Sequence, residues 1–299
     1  MSKPPKAPGT GPRSGLSEVT ADWLAAGDPG QRKSLGQFMT PRPVADALLD
    51  RIELKPGMRV LDPGVGTGEL LRAVLDREPA VLANGWDVDE GALNAARELV
   101  PEARLEQRSA LDVKEEGQRF DLVIGNPPYF QLRLDPAERD RFGGVISGRP
   151  NIFALFFQVG LQQLRPGGIL AYIVPPSMNS GAYFESLREY LTGHGEILDL
   201  TILEGTGIFE GANTAIQLLV LKKTGSATAP QKAVGRISAT GDEKRIHRRF
   251  AFEREVAEAG FRRVLFTPDP GRLAAEFEGR RTLWELGLEA ATGQVVWNE

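Results

Sequence analysis

Leu61-Asp62-Pro63-Gly64-Val65-Gly66-Thr67-Gly68-Glu69-Leu70 is the stretch that decides the fold. Arg59–Asp62 leads into it as a short apolar strand ending in an acid, and residues 70–75 leave it as a helix. Gly64, Gly66 and Gly68 let the backbone turn tightly between the two and approach a ligand closely. Outward from this point the same rhythm repeats. Residues 81–87 read as a strand that again ends in an acid, and 91–100 as a helix. Phe120–Gly125 is a near-continuous apolar run, as a strand covered on both faces should be. Residues 151–164 are helical, and strands follow at 168–174, 197–203 and 214–221. Strands alternating with helices imply an α/β fold with a mostly parallel sheet and helices on both faces. Such sheets bind ligands beyond the carboxyl ends of their strands.

Composition narrows the classes. The chain has 299 residues, 41% hydrophobic and 25% charged, which excludes collagen-like, coiled-coil and wholly disordered readings. No apolar run reaches the ~20 residues of a membrane helix. Residues 1–15 lack the apolar core of a secretory signal. There are no cysteines and only two histidines, His194 and His247, so thiol nucleophiles, thiolate metal sites and histidine clusters are not expected. These features fit a cytoplasmic protein without a metal. The net charge is 36 − 40 = −4, so any nucleic-acid contact must rest on local charge. Residues 232–263 carry nine Lys or Arg against five Asp or Glu.

The first fifteen residues hold four Pro and three Gly and bury too little to offset chain entropy. Residues 1–30 are therefore expected as a disordered or poorly ordered arm and 31–223 as the catalytic domain. Residues 224–232 read as a linker or loop, and 233–299 as a basic extension.

Asp87 follows Gly68 by nineteen residues, at the end of the next strand. An acid there can accept hydrogen bonds from both ribose hydroxyls of an adenosine-type ligand. The glycine spacing is neither that of dinucleotide enzymes nor that of a P-loop, and no lysine awaits phosphates. Asp62 stands before the glycines instead, which suits a ligand that carries positive charge. S-adenosylmethionine, with a sulfonium and an ammonium, meets that description.

Gly125-Asn126-Pro127-Pro128-Tyr129 follows the buried strand. Two prolines fix φ and remove two N–H donors, so the turn is rigid and rich in acceptors. An exocyclic amine conjugated to a purine is a poor nucleophile. Two acceptors aimed at its hydrogens, the Asn126 carboxamide oxygen and the Pro127 carbonyl, favour its pyramidal form and stabilise the charge that develops on alkylation. Tyr129 can stack on the planar substrate.

Together these residues resemble the class I S-adenosylmethionine-dependent methyltransferases, whose Rossmann-like fold has a seven-stranded, mostly parallel sheet. More narrowly, Leu35-Gly36-Gln37-Phe38-Met39-Thr40-Pro41 is similar to the segment that covers the cofactor in the gamma class of adenine-N6 DNA methyltransferases. Within it Thr40 reads as the N-cap, and Pro41 as the first residue, of a helix over 42–52. The resemblance implies cofactor contacts from Phe38, Thr40, Pro41, Asp62, Pro63, Gly64, Gly66, Gly68, Asp87 and Asn126. It implies that Asn126, Pro127, Pro128, Tyr129 and Phe209, in the loop after the sixth strand, handle a flipped adenine. Where the family places an acid for the cofactor adenine, this chain has Ser109, followed by Leu111 and Asp112. Ser109, with Leu111 packing on the adenine, is preferred to Asp112. The partner implied is double-stranded DNA, together with either a specificity subunit or a recognition domain of which 233–299 is the truncated start. The function implied is adenine-N6 methylation in restriction-modification or phage defence. Methyl transfer to a protein glutamine or an rRNA guanine, and a non-catalytic cofactor-binding subunit, remain as alternatives. His194 reads as a turn residue, and Trp86 as either a sheet position or a cofactor neighbour.

Overall fold

The computed structural model describes residues 15–27, 38–113, 119–204, 215–224, 233–239 and 248–252. The helices are α1 (Glu18–Ala26), α2 (Arg42–Leu49), α3 (Glu69–Arg77), α4 (Glu90–Leu99), α5 (Pro136–Arg141), α6 (Ile152–Gln163) and α7 (Glu185–His194). The strands are β1 (Arg59–Asp62), β2 (Leu82–Asp87), β3 (Arg104–Gln107), β4 (Phe120–Gly125), β5 (Leu164–Val174), β6 (Gly195–Glu204), β7 (Ile216–Lys223), β8 (Ala233–Ala239) and β9 (Arg248–Phe252). No helix among the described residues is long and apolar enough to cross a membrane.

One sheet runs β3-β2-β1-β4-β5-β7-β6-β8-β9. The strands β1 to β5 pair in parallel. β7 inserts antiparallel between β5 and β6. The seven strands that the sequence leads one to expect are thus present, and the sheet is mostly parallel. Two more extend it: β8 runs parallel to β6, and β9 antiparallel to β8. They occupy part of the basic extension and pair the edge that β6 would otherwise leave open.

Both faces of the sheet are buried, and side-chain alternation shows how. Val60, Leu122, Ile124, Ala171, Ile173, Leu218 and Val220 face α2, α3 and α4. Leu61, Val123, Tyr172, Val174, Leu219 and Leu221 face α6 and α7. Each central strand serves two cores at once, so its sequence is apolar throughout instead of alternating. Helix α6 is buried along almost its whole length, which explains its uniformly apolar composition.

Local chemistry sets the helix starts. The Asp89 side chain caps α4 by accepting from Gly91 N and Ala92 N. Asp135 and Glu138 form a reciprocal capping box on α5. Two expectations need correction. Helix α1 lies inside the stretch 1–30 read as a poorly ordered arm. Ser17 caps it, and Thr20, fully buried, donates to Thr67 Oγ1 at 2.8 Å. Tertiary bonds to a loop fifty residues away compensate for what the arm's composition lacks. The start of α2 also shifts: Pro41 is the N-cap and Arg42 the first helical residue. Thr40 does not cap, because its hydroxyl is taken up elsewhere.

Candidate active site

After β3 the chain crosses the sheet and enters β4, beside β1. The connections from β1 and β4 therefore leave in opposite directions, and a crevice opens beyond their carboxyl ends. The glycine loop follows β1, and the Asn126 turn follows β4. Between them lies a cleft of about 950 Å³ counted to its open mouth, bordered by Asp62, Gly64, Gly66, Asp87, Ser109 and Asn126 among others.

The loop is drawn into shape by its two acids. Gly64 N donates to Asp62 Oδ1 at 3.1 Å, and Gly66 N to Asp87 Oδ2 at 2.8 Å. Asp89 N donates to Asp87 Oδ1 at 2.9 Å. Gly66 sits at φ +51°, where a side chain would be strained. Asp62 is 2% exposed, and no cation among the described residues offsets it. Burial, with the nearby charge of Asp87 adding to it, pushes its carboxyl up to about 7 against the pull of the Gly64 N–H. Burial likewise raises Asp87. A cleft floored by desolvated, uncompensated acid favours a cationic ligand. S-adenosylmethionine, which carries a sulfonium and an ammonium, fits such a cleft.

At the other wall, the Asn126 amide is pinned from two sides. Its Nδ2 donates to the Phe38 carbonyl at 2.9 Å and to Thr40 Oγ1 at 3.2 Å. The Tyr129 hydroxyl lies 2.6 Å from Asn126 Oδ1 and 2.9 Å from the Ile173 carbonyl. The segment before α2 thus closes over the Asn126 turn, and Phe38, Met39 and Thr40 all border the cleft.

Of the residues singled out from sequence, Phe38, Thr40, Asp62, Pro63, Gly64, Gly66, Asp87, Ser109, Leu111, Asn126 and Pro128 border the cleft. Asp112 does not. The Ser109 hydroxyl accepts from Leu111 N at 3.1 Å and turns the chain there. Pro41, Pro127, Gly68 and Tyr129 are not among the bordering residues. Gly68 serves packing: at φ +92° its Cα faces α4, where a Cβ would meet Val100 Cγ2 at 3.1 Å. The half-buried Tyr129 ring packs against the core beside Phe153. Trp86 is 3% exposed and sits in the core with Arg108 over its ring at 4.6 Å. His194 closes α7 instead of lying in a turn, its ring 4.0 Å from that of Tyr190. Phe209 lies outside the described residues, as do His247, the linker and most of the extension.

Sequence reasoning missed a buttress behind the loop. Ser17 donates through its N–H and its hydroxyl to Glu69 Oε1, at 2.9 and 2.7 Å. Thr67, at the heart of the glycine stretch, receives Thr20 and donates to Met39 Sδ at 3.2 Å. Nothing in the sequence around Ser17 and Thr20 pointed to Thr67. Phe130, Ile152 and Phe156, which also border the cleft, gave no signal beyond their apolarity.

Comparison with known proteins agrees with this geometry. The N-6 DNA Methylase family model matches residues 24–79, and the Eco57I restriction-modification methylase model matches 84–209. The modification methylase CviBIII of Paramecium bursaria Chlorella virus NC1A is 25% identical over 212 residues, 70% of this chain and 55% of its own length. The release factor glutamine methyltransferase of Caulobacter vibrioides is 33% identical over 151 residues, 44% of this chain and 52% of its own. A crystal structure of a class I S-adenosylmethionine-dependent methyltransferase from Listeria monocytogenes superposes with a TM-score of 0.60 at 23% identity, covering 72% of this chain and 68% of that one. The chain spans about half the length of the curated relatives it matches. Glycine loop, the acid at the end of β2, rigid Asn126 turn and strand order agree with these matches: two segments of the chain match DNA methylase family models, and its fold is that of the class I S-adenosylmethionine-dependent methyltransferases.

Proposed function

We propose that this chain is the catalytic part of a DNA adenine-N6 methyltransferase, acting in restriction-modification or phage defence on a base flipped out of the duplex. One observation carries the reading. An amide is held at the carboxyl end of β4, its NH2 tied to Phe38 and Thr40, and Asn126 borders a cleft that Asp62 and Asp87 also line. The cofactor, when bound, supplies a methyl group made electrophilic by the sulfonium. Asp62 offsets positive charge, and Asp87 takes the ribose. Asn126 Oδ1 accepts one hydrogen of the adenine amine, and the Pro127 carbonyl the other. Both then stabilise the nitrogen as it turns positive. No strong base is required, since the alkylated amine loses a proton readily. Phe209 would stack on the base.

Double-stranded DNA is the partner in this reading. The acidic net charge favours delegating sequence choice to a specificity subunit or a recognition domain. The site of action is the cytoplasm. A second reading, methylation of a protein glutamine, draws support from the 33% identity to a release factor glutamine methyltransferase. One assay separates the two: labelled S-adenosylmethionine is offered to unmethylated DNA and, in parallel, to a release-factor-type protein. N6-methyladenine after digestion supports the first reading. Label confined to protein glutamine overturns it.

A further inference from the structure

We propose that Arg133 and Arg149, with Tyr183 beside them, form a rim that grips the phosphodiester backbone next to the base delivered to Asn126. The inference rests on the reading of the substrate as DNA. It starts from the path of the chain after the Asn126 turn. Phe130 and Ile152 both border the cleft. The backbone between them makes an excursion whose two ends pair as a short antiparallel ribbon. Ile152 N donates to the Phe130 carbonyl at 2.9 Å, Leu132 N donates to the Pro150 carbonyl at 3.2 Å, and Gln131 faces Asn151. Arg133 and Arg149 stand one residue beyond the last of these bonds, one on each arm. Each is three residues from a residue of the cleft border, at most about 11 Å along the backbone.

Both arginines are exposed. Among the described residues neither forms an ion pair. Near the glycine loop the pattern is the opposite: Arg42, Arg72, Arg77 and Arg97 each meet a carboxylate. Of the acids in the excursion, Asp135 and Glu138 are engaged in the capping box of α5. Two like charges brought to the same end of a ribbon repel, and an anion between them relieves the repulsion. The backbone that carries Arg149 is also held in place. Ser147 Oγ lies 2.7 Å from Ser186 Oγ and accepts from Ser186 N at 3.1 Å, which ties it to α7. Gly148, at φ +77°, lies against the Tyr183 ring, and a Cβ there would come within 3.1 Å of it. Tyr183 itself is 67% exposed, an aromatic ring and a hydroxyl turned to solvent. Phosphate is the anion that a guanidinium recognises with paired N–H donors, and tyrosine hydroxyls add contacts of the same kind. A cleft that takes a flipped base meets the flanking backbone at its mouth.

Arg133→Gln combined with Arg149→Gln removes both charges and keeps most of each stem, at exposed positions where folding should not suffer. Binding of a fluorescein-labelled DNA duplex of about 30 base pairs is followed by anisotropy across a range of salt; phosphate contacts are independent of sequence, so no recognition sequence is needed. The double variant should bind roughly three- to thirtyfold more weakly at low salt. Its slope of log affinity against log salt should be shallower by about 1.8, the share of two phosphates. Tyr183→Leu should weaken binding and leave the slope unchanged. Arg119→Gln, which removes an exposed charge just before the amino end of β4, should change neither. Cofactor affinity, measured by calorimetry, should stay at the wild-type value in the double variant. An unchanged slope in the double variant, an equal change in Arg119→Gln, or no duplex binding by the wild type at low salt overturns the proposal. If the wild type methylates protein glutamine and no DNA, the substrate reading fails, and the salt slopes still decide whether the two arginines hold phosphate.

Discussion

The turns after β1 and β4 lie side by side and are built from opposite halves of the peptide group. The first offers backbone N–H groups, and it ties them to carboxylates: Gly64 to Asp62, Gly66 to Asp87. The second has prolines at two positions, so donors are missing, and carbonyls and an amide oxygen remain. One wall therefore concentrates buried negative charge and suits a cationic donor of the methyl group. The other concentrates neutral acceptors and suits an amine that gains positive charge as it reacts. In the proposed reaction, two adjacent strand ends thus divide the work between them.

The comparison can be broken most sharply at the acceptor wall. Asn126→Ala should lower single-turnover methyl transfer by roughly 10²- to 10³-fold, as when one preorganised group is removed from a charge-stabilising site. Cofactor affinity, measured by calorimetry, should stay within a few-fold. A comparable loss of binding would mean that the two walls are not separable, since Asn126 also holds Phe38 and Thr40.

Asp87→Ala should act on the other wall. Loss of charge-assisted hydrogen bonds to ribose should weaken cofactor binding by roughly 1.5 to 3 kcal/mol. The rate at saturating cofactor should change little. Unchanged affinity would remove Asp87 from the ribose site.

Asp62 sharpens the comparison through pH. Its carboxyl is raised to about 7. Between its unfolded value near 4 and about 7, the folded state holds a proton that the unfolded state has lost. Stability without cofactor should therefore fall as pH rises across that window. A cationic ligand prefers the carboxylate, so cofactor affinity should rise instead, roughly eightfold from pH 6 to 7.5 by the ionised fraction. Titrations in buffers of different ionisation enthalpy should detect proton release on binding. Asp62→Asn should abolish both the release and the pH slope, and if the slope persists, Asp62 does not face the charge.

The smallest effect is expected behind the donor wall. Ser17→Ala removes the cap of α1 and the hydroxyl's bond to Glu69, and leaves the bond from its N–H in place. Hydrogen exchange should show α1 opening more readily, by about 0.5 to 2 kcal/mol, as lost caps do. Protection in the β4 turn should not change. If it does, the buttress serves both walls.

Much of this was legible in the residues alone. The strand–glycine–helix passage, the spacing to Asp87 and the double proline at 127 and 128 are local features. Glycine and proline impose them through φ, whatever the rest of the chain does. The continuous apolar strands announced a sheet covered on both faces, and the element bounds agree within a few residues. Within the stretch 1–30, residues 15–27 misled because composition reports what a segment can bury by itself, whereas α1 is held by Thr67 and Glu69. Thr40 misled for the same reason: its position before a proline suggested a cap, yet its partner is Asn126, 86 residues on.

The sequence by itself therefore determined which turns form and which chemical groups they present. Only the tertiary structure decided what each group faces. Strand order brings β4 beside β1 after a crossover, places Phe38 on Asn126 across 88 residues, and sets Tyr129 against Ile173 in β5. Backbone stereochemistry acts between neighbours along the chain. Hydrogen-bond partners at such separations are chosen by the packing of whole elements, to which a local pattern carries no pointer.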